Sequence, residues 1–146
     1  MTDTLLFLIS PPVLLALVVW NFAVLSAVQL TVRLIGAYSP LATAISAILL
    51  TAASLPITAL YLLLVEFTLS PGAMAGARAR GLAAFQALVF QQRLLWFPLA
   101  IVLTAVVGFV IIRATLRFKR TRSAVVAAIG IGLLSAPWVA FLHLPS

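Results

Sequence analysis

The sequence contains no cysteine. Disulfides, thiolate nucleophiles and iron–sulfur ligation are therefore excluded. Acid is almost as scarce. Asp3 and Glu66 are the only carboxylate side chains, and His143 is the only imidazole. General acid–base catalysis needs positioned groups of matched pKa, and this inventory offers few. No GxSxG elbow, P-loop or HExxH occurs. Neither an enzyme, a cofactor nor a small-molecule substrate is expected. Charge as a whole is sparse: 8% of residues are charged and 65% are hydrophobic. A soluble domain has about 25% charged and about 45–50% apolar residues. That comparison excludes an ordinary water-soluble globule. It also excludes disorder, which needs low hydrophobicity and high charge.

Long uncharged runs are what the sequence does have, with a mean hydropathy of +1.30. A helix needs about 20 apolar residues to cross a bilayer. A charge at the bilayer centre costs about 2.5–3.5 kcal/mol, so charges set the boundaries. On that basis the chain is a single all-α membrane domain, 1–146, with four transmembrane helices. They are expected at about 6–30, 41–65, 94–112 and 123–144. Arg33 closes the first and Glu66 the second. Arg93 and Arg113 bracket the third. The first run is about twice the length of a signal-peptide core and lacks a basic start, so it reads as an uncleaved span.

The connection 68–92 is the longest. Ser70-Pro71-Gly72 reads as a turn, and Gly72, Gly76 and Gly81 weaken any helix near its start. Leu82, Phe85, Leu88 and Val89 share one helical face. The best fit is a short amphipathic helix in the outer interface. It can run on into the third span, where Pro98 falls in the first turn. Gly72-x-x-x-Gly76 matches a helix-dimer spacing, but lies outside a long apolar run.

Nine basic residues oppose two acidic ones, a formal +7. Arg113, Arg117, Lys119, Arg120 and Arg122 crowd the loop 113–122. Basic residues favour cytoplasmic loops. This loop is therefore placed in the cytoplasm with Arg33, and both termini lie outside it. The loop reads as an anchor on anionic headgroups or a partner contact, at about 1 kcal/mol per basic residue. It lacks the aromatic interleaving of a nucleic-acid interface.

Within the spans the informative residues are small or polar. Ala124, Ala128, Gly132, Ala136 and Ala140 recur every four residues, which suits close helix packing. Thr43, Ser46, Thr51, Ser54 and Thr58 surround Pro56 in the second span. Hydroxyls can re-satisfy carbonyls that a proline frees. The alternative is a polar path for a solute. Asn21 and Trp20 lie deep in the first span and need partners. Gln29 shares a face with Arg33, near the inner headgroups. Asp3, Glu66 and His143 all fall at the outer face. They form a remote candidate for a divalent metal, and His143 for one haem ligand. No carboxylate or other ionisable residue sits mid-span, where a coupled transporter usually keeps one.

The function these features predict is a non-catalytic structural or accessory subunit of a larger membrane complex, such as an electron-transfer or energy-conserving assembly. The alternative is a small homo-oligomeric channel or transporter. The expected location is a bacterial or archaeal plasma membrane. Expected partners are the lipid bilayer and other membrane subunits, with no nucleic acid.

Overall fold

The structure is a computed structural model that describes residues 6, 9–32, 39–116 and 121–135. Five helices account for nearly all of them: α1 (Pro11–Val32), α2 (Pro40–Thr68), α3 (Pro71–Ala79), α4 (Leu82–Thr115) and α5 (Thr121–Ser135). Among the described residues there is no strand.

Three of the helices start at a Ser-Pro pair. Ser10-Pro11, Ser39-Pro40 and Ser70-Pro71 precede α1, α2 and α3. Proline at the first helical position has the helical φ and lacks only an N–H that would be unpaired anyway. Serine before it supplies the cap. The Ser39 hydroxyl accepts from the Ala42 amide at 3.3 Å, and the Ser70 hydroxyl from the Ala73 amide at 3.2 Å. The Ser70-Pro71-Gly72 turn is thus a helix start, which corrects the expectation of a weakened helix there. Gly72 and Gly76 sit inside α3, with open space beside both. Gly81 separates α3 from α4 with a φ of +106°, a conformation that glycine reaches without a Cβ clash.

α1, α2 and α4 are each long and apolar enough to cross a membrane. α5 is described over 15 residues, about 22 Å of helix. That falls short of the roughly 30 Å hydrocarbon core. Positions 136–144 of the expected fourth span lie outside the described residues. Among the described residues, three helices are thus long and apolar enough to span a membrane, and the expected fourth span, 123–144, is described only as far as Ser135.

The interfacial helix does run on into the third span, without a break. α4 runs unbroken for 34 residues, about 51 Å. Arg93 and Arg113 lie 20 residues apart within it, roughly 30 Å. The apolar stretch between them matches the hydrocarbon, and Leu82–Gln92 continues beyond it. Pro98 is therefore well inside the helix rather than in its first turn.

The four long elements close into a ring. α1 packs on α2, α2 on α4, α4 on α5 and α5 on α1, while α3 packs on α4. Neighbours are antiparallel. For α2 and α4, Tyr61 meets Arg93 at one end and Ser46 meets Thr115 at the other. The inner core gathers Leu25, Leu50, Ile112, Ala124, Ala128 and Ile131. A smaller outer cluster joins Tyr61, Leu62, Val65 and Ala100. Large apolar residues such as Leu15, Leu63, Val102 and Val110 are exposed around the outside, as a surface facing lipid tails requires.

Candidate functional site

Most of the interhelical side-chain hydrogen bonds of the bundle sit on two seams flanking α2. On the α1 side, the Asn21 amide donates to the Thr51 hydroxyl at 2.9 Å, and the Gln29 amide to the Thr43 hydroxyl at 3.0 Å. On the α4 side, the Ser46 and Thr115 hydroxyl oxygens lie 2.6 Å apart. The Tyr61 hydroxyl donates to the Arg93 carbonyl at 3.0 Å, and the Trp96 indole to the Thr68 hydroxyl at 3.2 Å.

A hydroxyl has one proton and two lone pairs, and the threonines of α2 use them in a fixed way. Thr51 donates to the Ala47 carbonyl at 2.8 Å and Thr43 to the Ser39 carbonyl at 2.8 Å, each one turn back. With the proton directed at the local carbonyl each oxygen is left as an acceptor, and the Thr43 hydroxyl also lies 3.3 Å from the Gln29 amide oxygen as a second, longer acceptor. The amides of α1 supply the donors. The Ser46–Thr115 pair differs: each also approaches its own carbonyl, Ala42 or Ile111, at 2.7 Å. One of the two must give up its local bond to donate across the seam.

This arrangement changes the reading of the second-span hydroxyls. They were expected to repair the carbonyl freed by Pro56. Instead Thr43, Ser46 and Thr51 are buried and join helices. Ser54 stays local, donating to the Thr51 carbonyl at 2.7 Å. Asn21 and Gln29 are both buried in the bundle. Trp20 finds its acceptor in the Leu134 carbonyl at 2.8 Å, which ties α1 to α5.

The seam between α4 and α5 is apolar and tighter. Ala124, Ala128 and Gly132 are buried. A Cβ on Gly132 would lie 2.8 Å from the Ile101 carbonyl oxygen and 2.7 Å from the Ala105 Cβ. A Cβ on Gly108 would lie 2.9 Å from the Ile131 side chain. At Gly132 the stripe therefore faces the protein's own α4. Ala136 and Ala140 lie outside the described residues. α4 answers with its own stripe, Ala100, Thr104 and Gly108, all buried. The sequence reading missed it, although the four-residue spacing is the one noticed in α5.

The basic segment is less of a loop than expected. Arg113 belongs to the last turn of α4 and Arg122 to the first turn of α5. Arg113 donates to the Thr121 hydroxyl at 3.3 Å and lies 5.8 Å from the Phe109 ring centre. A cation at a helix C-terminus is favoured by the helix dipole. Arg117, Lys119 and Arg120 lie outside the described residues.

Of the three outer-face candidates, Glu66 is exposed near the end of α2. Asp3 and His143 lie outside the described residues. Among the described residues no three metal-ligating side chains cluster. A shallow apolar crevice runs between α2 and α4, past Leu60, Leu64, Trp96 and Leu99. The chemistry this arrangement supports is helix association. Comparison with family models, with curated proteins and with solved structures gives no match.

Proposed function

We propose that the chain is a non-catalytic subunit of a larger membrane assembly, one that packs against and positions partner chains. The observation that carries this reading is the closure of the α2 hydroxyls inside the bundle. Thr43, Ser46 and Thr51 are each 4% exposed or less, and each touches a side chain of a neighbouring helix. A solute path along α2 needs those oxygens free to replace a solute's hydration. The alternative, a homo-oligomeric channel or transporter, loses its polar lining on that ground.

The reading includes a fourth span, in which α5 continues toward 144, and a cell-membrane location with both termini outside the cytoplasm. It draws on the density of basic residues around 113–122. Because the chain has no cysteine, Thr2→Cys and Ser146→Cys each introduce a unique thiol. An impermeant thiol reagent should label both in intact cells. Protection of both until lysis inverts the orientation.

Gentle detergent extraction followed by native mass measurement tests the function. The expected species contains this 15.5 kDa chain in fixed ratio with different chains. A species built of this chain alone, which conducts a solute once returned to liposomes, overturns the proposal in favour of the channel.

A further inference from the structure

α4 is two structures in one helix. Inward of Pro98 it is gripped from both sides: Ala100, Thr104, Gly108 and Ile112 are all buried. There Gly132 approaches the Ile101 carbonyl so closely that a Cβ would meet it at 2.8 Å. Outward of Pro98 the grip loosens. None of the residues Leu82–Gln92 is fully buried, and α3 packs along this arm through Ala77.

Pro98 lies at the change. It has no N–H, so the Leu94 carbonyl lacks its helical donor, and the proline ring crowds that same carbonyl. A helix bends most readily where its hydrogen-bond ladder is broken. Two cross-bonds to α2 sit just outward of Pro98: Tyr61 to the Arg93 carbonyl and the Trp96 indole to Thr68. Tyr61 is 2% exposed. Its hydroxyl is thus committed within the protein, at the α4 turn next to the missing bond.

We propose that Pro98 is a hinge, and that the Tyr61 and Trp96 hydrogen bonds are a latch that holds the outer arm of α4, together with α3, against the end of α2. With the latch closed, the arm and the bundle move as one body. With it open, Leu82–Phe97 and α3 swing about Pro98 and the arm's helical bonds, no longer supported by α2, open more often, while the α4–α5 seam stays shut. The arm is the part of the described molecule that reaches past the apolar stretch, so the latch fixes what the outer face presents.

Hydrogen exchange of the full chain in lipid nanodiscs tests this. Tyr61→Phe keeps the ring and removes the donor. Exchange of the 84–96 amides should rise about threefold to tenfold, the range expected for losing one hydrogen bond from a local opening. Exchange over 100–112 and in α5 should not change. Trp96→Phe should act in the same direction. Adding Pro98→Ala to Tyr61→Phe restores a donor for Leu94, and should cut the rise to less than about twofold. No rise in either latch variant overturns the proposal. So does a rise shared by 100–112, which means general loosening, or a rise that persists with alanine at 98.

Discussion

Between α4 and α5 the backbones approach until a methyl group would clash; between α1 and α2 buried side chains join the helices by hydrogen bonds. The first seam joins Gly132 to Ile101 and Ala105, and Gly108 to Ile131. The second joins Asn21 to Thr51 and Gln29 to Thr43. In lipid the hydrophobic effect does not pull helices together, so contact and hydrogen bonding must. This bundle separates the two means by seam. The contrast teaches what each is worth. Close contact is intolerant, because a carbonyl cannot move aside for a side chain. A hydrogen bond to a threonine is tolerant, because that threonine keeps its local carbonyl when the amide is removed.

The largest expected effect breaks the contact seam. Gly132→Leu places atoms where Ile101 and Ala105 already are, and should destabilise by about 3 kcal/mol, the upper part of the range for overpacking. Thermal unfolding in detergent measures it. The matched control is Leu133→Ala, on an exposed position next to it, which should change little. Equal effects of the two would mean that the seam is no tighter than the lipid face.

A smaller effect should follow from the polar seam. In a double-mutant cycle of Asn21→Leu and Thr51→Val, the coupling should be about 0.6 kcal/mol and at most about 1.7 kcal/mol, as for other intramembrane hydrogen bonds. A coupling above that of the contact seam would reverse the ranking drawn here. The smallest effect belongs to Ser46→Ala. The Thr115 hydroxyl then donates to its own Ile111 carbonyl without competition. The loss should stay within about 0.5 kcal/mol. A larger loss would show that the 2.6 Å contact is the dominant bond of the pair.

The limits of the sequence reading have a common physical cause. Charges mark where lipid ends, and they placed the second span at 41–65 against an observed Pro40–Thr68. They do not mark where a helix ends. Backbone hydrogen bonding continues through Gln91, Gln92 and Arg93, so the interfacial segment and the third span are one helix. The three Ser-Pro pairs were not read as helix starts, because Ser70-Pro71-Gly72 reads equally well as a turn. Its glycines lower helix propensity only weakly against a cap and packing on α4. The small residues of α4 were obscured by the larger ones between them. The interhelical role of Thr43, Ser46 and Thr51 depended on which face of α2 meets which neighbour, and that pairing is tertiary.

The α1–α2 seam also bears on the order in which the chain enters a membrane. Asn21 and Gln29 arrive in α1, and their partners Thr51 and Thr43 follow 30 and 14 residues later. At a synthesis rate of about 5–20 residues per second, Asn21 waits roughly 2–6 s for Thr51. During that time its amide has no partner of its own chain in hydrocarbon, which disfavours leaving α1 alone in the bilayer. α1 and α2 are therefore suited to insert as a pair, carrying their polar atoms already matched. The α4–α5 seam holds no such debt. Its glycines and alanines need no partner while they wait, so the two later helices can meet at any time after both are made.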